Sequence, residues 1–184
     1  MISEKERFMK VWDNEFKTTL KVLKAYPLDK QDLKPHPVSK SAKELAWGFA
    51  AEEKKMVPEI MDGTVDFSGM PKAPSTMKEV ITEYDEAHKK TMQKFEKMSD
   101  EDLNKKMKFF VAPKKMDDMR RIDVLWGMMM DEIHHRGQFS VYLRMAGGKV
   151  PSIYGPTADE AWTLSLKRIG HSLAVSHDSP DGKR

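Results

Sequence analysis

Four stretches of the chain carry apolar residues at the three- and four-residue spacing of an amphipathic helix. The first stretch opens with Ser3 and Glu6, which are spaced as a capping box, and it stops near Tyr26-Pro27. Between these signals lies one apolar stripe, made of Phe8, Trp12, Phe16, Leu20 and Leu23. The pattern therefore predicts a first helix that ends near Tyr26.

The second stretch begins with the same signal. Ser41 and Glu44 are spaced as a capping box. The positions that share one face of the helix after them are Leu45, Phe49, Glu52 and Met56. Because Pro58 has no backbone N–H to donate, we expect it to kink or end this second helix.

A third helix is predicted from Thr76, whose capping partner is Glu79, to about Met98. Its apolar stripe contains Val80, Tyr84, Ala87 and Phe95. A polar connection rich in Asp and Lys follows, and it has no convincing alternation of the kind that is typical of strands. We interpret its most basic part, residues 105–115, as a solvated loop.

The last predicted elements complete an all-α fold. Residues 123–146 read as a fourth helix, and Gly147-Gly148 stands where a left-handed C-cap is expected. Thr157 and Glu160 are spaced to start a short fifth helix through about Ile169, and residues 170–184 look like a flexible C-terminal tail. We therefore predict that residues 1–169 form a single domain, an up-and-down four-helix bundle or a relative of it, with a short extra C-terminal helix.

The length of the chain and the distribution of its apolar residues exclude several classes of protein. The 184 residues suit one domain, and no stretch approaches the roughly 18 apolar residues of a membrane span. The first ten residues mix charged and apolar side chains and lack the apolar core of a signal peptide. We therefore expect a cytoplasmic protein with no membrane partner.

The net charge and the absence of cysteine limit the partners and the metal ligands that we expect for this chain. The net charge is only +3, with the basic residues spread along the chain, so we expect no nucleic-acid partner. The chain has no cysteine, which excludes disulfides, thiolate metal sites and cysteine nucleophiles. Any metal ion would have to bind through His, Asp or Glu.

Polar residues interrupt the inward face of the fourth helix. Asp131 and His135 are four residues apart, so their side chains lie one above the other and could hold the same ion. On the second helix, Glu52 shares the inward face with Gly48 and would complete a set of one histidine and two carboxylates. Such a set suits zinc, manganese, iron or nickel. The alternative is that His135 is a buried histidine paired with Asp131 or Glu52.

The opposite side of the fourth helix is also apolar. It carries Trp126, Met129, Met130, Ile133 and Val141. A helix that is apolar nearly all round is either central in the fold or covered by another subunit. We therefore expect a homodimer that associates through this helix.

Two segments resemble one known family. Residues 131–138 have the sequence DEIHHRGQ and continue through VYLR at 141–144 to VPSIYGP at 150–156, which resembles the C-terminal signature of DinB/YfiT-like proteins. Residues 41–50, SAKELAWGFA, resemble that family's second helix. The resemblance extends through about Glu160 and implies the family's four-helix bundle.

The resemblance also implies a site, from which this chain departs. Family members typically hold a divalent metal with three histidines, and some transfer low-molecular-weight thiols, where the cation favours the thiolate. The three ligand positions fall on Gly48, Asp131 and His135, and only the last is a histidine. Glu52 then becomes a candidate third ligand or general base, and the candidate pocket residues are Gly48, Gln138 and Tyr142.

Two functions remain open from the sequence. The first is a divalent-metal-dependent thiol transferase or hydrolase-like enzyme with a degenerate site, holding zinc, nickel or manganese. The alternative is a non-catalytic, dimeric, stress-associated module that binds a small molecule or a partner in the vestigial cleft. The glycine at position 48 favours the alternative because it removes a ligand and opens space.

Overall fold

The computed structural model describes residues 2–162 and has a mainly helical architecture. In chain order, the elements are α1 (Glu4–Lys24), α2 (Ala42–Ala51), α3 (Val57–Asp62), α4 (Met77–Lys97), α5 (Asp100–Asn104), β1 (Lys106–Ala112), β2 (Lys115–Arg120) and α6 (Arg121–Met145). A short 3-10 turn (Leu28–Lys30) follows α1, and a π-helical turn (Glu52–Met56) joins α2 to α3. The predicted all-α, four-helix-bundle fold is confirmed, with α2 and α3 together forming its second helix.

The predicted helix starts are confirmed in detail. Ser3, Ser41 and Thr76 each accept a hydrogen bond from the backbone N–H three residues later, and the glutamate at that position accepts one from the cap. These reciprocal bonds satisfy backbone donors that an isolated helix start leaves free. Ser99 forms a further capping box with Asp102 and starts α5.

Pro58 does not end the second helix. The backbone stays helical from Ala42 through the π-helical turn to Asp62, and Gly63, with φ of 87°, ends it. A π-helical turn changes the backbone pairing just before the residue that has no N–H to donate. The Thr91 hydroxyl donates to the Glu53 carbonyl at 3.0 Å, and Lys94 donates to the Pro58 carbonyl at 3.0 Å.

A β-hairpin occupies the connection that the sequence analysis interpreted as a loop. β1 and β2 pair antiparallel from Lys106 opposite Arg120 to Ala112 opposite Lys115, and Lys114 in the turn has φ of 61°. The expectation of no strands was therefore wrong at this place. Only Met107 of the hairpin is buried, so the side chains show little of the in-and-out alternation by which strands are recognised.

The core consists of two clusters, one towards each end of the bundle. One joins the C-terminal half of α1, α2, the start of α4 and the end of α6; the other joins the start of α1, α3, the end of α4 and the start of α6. The long helices therefore run up, down, down and up. Residues 63–76 must return along the bundle between α3 and α4, which makes the fold a relative of the strictly alternating arrangement.

The predicted fifth helix is not present in the part of the chain that the structure describes. Residues 157–162 are not helical, although the Thr157 hydroxyl accepts from the Glu160 N–H at 3.0 Å as the proposed cap would. The rest of that predicted helix, and the predicted tail, lie outside the described residues. Among residues 2–162, no helix is both long and apolar enough to cross a membrane.

Candidate functional site

The candidate site is a cleft between the second helix of the bundle and α6. Gly48 and Glu52 are one helical turn apart on the second helix, and His135 faces them from α6. These three residues, with Lys40, Leu45 and Phe49, line a cavity of about 20 Å³. That is room for about one water molecule. The structure thus brings together Gly48, Glu52 and His135, three of the residues that the sequence analysis proposed for the site.

Glu52 also opens onto a second, larger cavity. This space of about 270 Å³ is lined by Glu52, Met56, Asp66, Phe67, Gly69, Met70 and Met128. Because Glu52 belongs to both linings, we treat the two spaces as one cleft with a polar end at Gly48 and an apolar end at the methionines. The Glu52 side chain is partly buried, and its carboxyl group makes no hydrogen bond to another of residues 2–162.

The surroundings of Glu52 favour its neutral form. Burial raises its pKa to about 8, and the negative charges of Asp131 and Glu132 add to the effect, while Lys40 opposes it. A carboxyl group in this state exchanges its proton near neutral pH, as general acids and bases do. The cleft therefore contains one side chain that is able to change its charge under physiological conditions.

Asp131 and His135 form a pair on the rim. His135 Nδ1 lies 3.1 Å from Asp131 Oδ2, with Asp131 exposed and His135 partly buried. This contact is the pairing that the sequence analysis offered as the alternative to metal binding. The second ring nitrogen of His135, Nε2, takes no part in this contact.

The two remaining pocket candidates lie outside the cavity linings. Tyr142 is buried, and its hydroxyl donates to the Lys40 carbonyl at 3.0 Å, so it holds the segment that brings Lys40 to the cleft. Gln138 is exposed, and its amide lies 2.8 Å from His134 Nε2. Gln138 therefore faces solvent beside His134 and does not shape the cavity.

The residues of the cleft do not fit a three-ligand metal centre. Gly48 supplies no ligand atom, and Asp131 is engaged with His135. Within the described residues, no three His, Asp or Glu side chains lie together closely enough to hold an ion. The metal site inferred from the sequence therefore stays a prediction.

Behind the cleft lies a buried polar network that the sequence analysis did not predict. Glu132 accepts hydrogen bonds from the hydroxyls of Thr19 at 2.8 Å and Tyr84 at 2.7 Å. Arg136, which is 1% exposed, donates to Thr19 at 3.2 Å and pairs with Glu15 at 2.7 Å. Burial raises the pKa of Glu132 to about 7. The network joins α1, α4 and α6 through polar bonds in the middle of the bundle.

A second buried network lies on the other side of the second helix. Glu53 is 2% exposed, accepts from the Trp12 indole at 3.2 Å and lies 2.7 Å from His88 Nδ1. The His88 ring stacks on Phe16, and its Nε2 is 3.5 Å from Asp13. Glu53 also borders a cavity of about 170 Å³ between the second helix and α4. His88 stands four residues after Tyr84 on the same stripe, a signal that could have shown its burial.

Comparison with known proteins decides the family. The DinB family profile matches residues 1–167 of this chain. The chain belongs to the DinB family. No curated protein matches this DinB-family chain at a significant level.

Two solved structures share the fold. A DinB-like protein from Bacillus cereus is 25% identical, with a TM-score of 0.67, over 81% of this chain and 97% of that one. A DinB-like protein from Bacillus subtilis is 20% identical, with a TM-score of 0.65, over 80% of this chain and 96% of that one. The resemblance inferred from residues 41–50 and 131–156 is therefore confirmed.

Proposed function

We propose that this DinB-family chain binds a small molecule in the cleft between the second helix and α6. The observation that carries the proposal is Glu52, an unpartnered carboxyl group shared by a small polar cavity and a larger apolar one. Ligand sites typically combine an apolar wall with a few polar groups that fix orientation. Glycine at position 48 leaves the polar end open. The proposed ligand site thus lies where the resemblance places the family's metal site, and it offers a different set of contacts.

Filling the polar end of the cleft tests this proposal. A Cβ added at Gly48 meets nothing within 4 Å, so Gly48→Leu should fold and place its side chain towards the cavity. We expect a thermal-shift screen of metabolites to find compounds that stabilise the wild type by mass action and stabilise Gly48→Leu several-fold less. Thr82→Leu, which adds an apolar side chain at an exposed position of α4 outside the cleft and away from the outer face of α6, is the control. Equal ligand responses in both variants, or none in the wild type, would remove the proposal.

A metal-dependent activity is the second candidate, and the position of Glu52 and His135 on the lining of one cavity favours it. It corresponds to the thiol transferase or hydrolase-like enzyme that the resemblance implies, with zinc, nickel or manganese held by Asp131, His135 and Glu52. When bound, such an ion would lower the pKa of a thiol or a water molecule. Glu52 would supply the third ligand or the proton acceptor.

Metal content separates the two candidates. We expect the wild type to retain less than about a tenth of an equivalent of zinc, nickel or manganese at micromolar concentration, because a lasting site needs a complete ligand set. Gly48→His combined with Asp131→His recreates the family's three-histidine pattern and should bind close to one equivalent. Elemental analysis after dialysis gives both values. Stoichiometric metal in the wild type, lost in His135→Ala and kept in His134→Ala, would favour the enzyme instead.

We also propose a homodimer that associates through the outer face of α6. The exposed residues Met130, Val141 and Met145 lie on this face, and the partly buried Trp126 and Ile133 continue it. Met129, which the sequence analysis had placed there, is buried in the core. An apolar helix face of this length is costly to leave in water.

Light scattering coupled to size exclusion tests the dimer. Met130→Glu with Val141→Glu should convert it to a monomer, because the two carboxylates would be buried without partners. Leu28→Glu with Val38→Glu, which changes exposed apolar residues elsewhere, should leave the mass unchanged. A wild-type monomer at tens of micromolar would contradict this proposal, as would a double variant at Met130 and Val141 that remains dimeric.

A further inference from the structure

The apolar end of the cleft has a wall suited to a short hydrocarbon body. Met56, Met70, Met128 and Phe67 line it. The centre of the Phe67 ring lies 5.8 Å from that of Phe109 and 5.0 Å from that of Phe110. Methionine side chains adapt to irregular apolar shapes. The volume of about 270 Å³ limits the ligand to a small molecule.

The charges around this space are mainly negative. Glu52 stands at the junction of the two cavities and Asp66 borders the apolar one. Hydrogen bonds from Ser68 hold the pKa of the Asp66 carboxyl below its usual range, so Asp66 is ionised. The negative charges of Asp131 and Glu132 lie close enough to Glu52 to raise the pKa of its carboxyl group and so to disfavour its ionised form.

The positive charges nearby do not neutralise Glu52. Lys40 borders only the polar end, and its side chain makes no ion pair with Glu52 in the described part of the chain. Lys55 is engaged with Glu59 at 3.0 Å and with the Asp66 carbonyl. A cation at the junction would therefore meet the Glu52 carboxyl group on one side and the methionine wall on the other, and it would favour the ionised form of that group.

From this juxtaposition we infer that the ligand of the cleft is an amine with a short apolar body, its ammonium group beside Glu52 and its hydrocarbon against the methionines and Phe67. The inference rests on the proposed small-molecule site and names its ligand class. An ammonium group would supply a positive charge that favours the ionised form of Glu52, and an aromatic ring such as that of Phe67 attracts a cation. A carboxylate ligand would add a further negative charge to an acidic cleft.

Three probes of equal length test the ligand class. Hexylamine, hexanol and hexanoate carry positive, neutral and negative head groups on the same chain, and calorimetric titration at pH 8.5 keeps hexylamine protonated and most of Glu52 ionised. We expect one equivalent of hexylamine to bind at least about tenfold more tightly than hexanol, with hexanoate weakest. Glu52→Gln should lose about tenfold in hexylamine affinity and leave hexanol binding unchanged.

Glu86→Gln is the matched control, since it removes one carboxylate from an exposed position of α4 outside the cleft. Hexanol or hexanoate binding as tightly as hexylamine would overturn the amine assignment while leaving the proposed small-molecule site standing. So would equal losses of hexylamine affinity in Glu52→Gln and Glu86→Gln. No binding of hexylamine at millimolar concentration also overturns the amine assignment, and the metabolite screen then decides the site by itself.

Discussion

Replacing Arg136 by methionine is expected to lower the free energy of unfolding by about 3–5 kcal/mol, the usual cost of removing one partner from a buried ion pair. Arg136 is fully enclosed and holds Glu15 at 2.7 Å, the Glu15 carbonyl at 3.1 Å and the Thr19 hydroxyl at 3.2 Å. Methionine keeps much of the volume but leaves the Glu15 carboxylate without its cation. Urea denaturation at pH 7 measures the loss.

Arg144→Met is the control on the same helix. Arg144 pairs with Asp159 at 2.5 Å, but its side chain is half exposed, and solvent screens such exposed pairs so that they contribute little to stability. The difference between the two variants isolates the effect of burial. A loss of under about 1 kcal/mol in Arg136→Met, or equal losses in both variants, would show that the buried network does not hold the bundle together.

The buried network around Arg136 also explains part of the C-terminal sequence signature, residues 150–156. The Tyr154 hydroxyl accepts from Arg136 at 2.5 Å and donates to Glu15 at 2.6 Å, and the guanidinium lies 5.1 Å from the centre of the tyrosine ring. Residues 150–156 are thereby attached to α1 and α6. This part of the signature therefore holds the segment after α6 against the bundle.

Glu132→Gln is expected to raise stability at pH 8 and leave it nearly unchanged at pH 4.5. Burial first, and then the charge of Glu53, raise the pKa of Glu132 from 4.5 to about 7 in the folded protein. Between pH 4.5 and 7 the unfolded chain releases this proton while the folded chain keeps it, so stability falls as pH rises through that window. The linked loss is about 3 kcal/mol.

Glutamine still accepts hydrogen bonds from Thr19 and Tyr84 but has no charge to bury. Melting temperatures measured from pH 4.5 to 8.5 should therefore fall more steeply for the wild type than for Glu132→Gln. Glu86→Gln should follow the wild-type curve, because Glu86 is exposed. Parallel curves for the wild type and Glu132→Gln would mean that Glu132 is not the group that titrates. Glu52, whose pKa is also raised, should contribute a remaining slope up to about pH 8.

The candidate site shows what sequence reasoning can and cannot reach. Helical spacing placed Glu52 and His135 on inward faces of two different helices, and both line the same small cavity. It also placed Asp131 on the inward face of the fourth helix, whereas that side chain is exposed. Helical phase is accurate to about a quarter of a turn, and residues at the edge of a face fall on either side of the boundary.

By itself, the sequence determined where three of the long helices begin, most of the positions that the helices bury and which family the chain belongs to. Capping boxes and apolar stripes act over three or four residues, so they can be read locally at Ser3, Ser41 and Thr76. Only the tertiary structure decided the direction of α4, the π-helical turn before Pro58 and the hairpin at residues 106–120. It alone joined Glu132 to Tyr84 and Glu53 to His88. These features depend on contacts between residues that lie far apart in the chain, and such contacts leave no periodic pattern in the sequence.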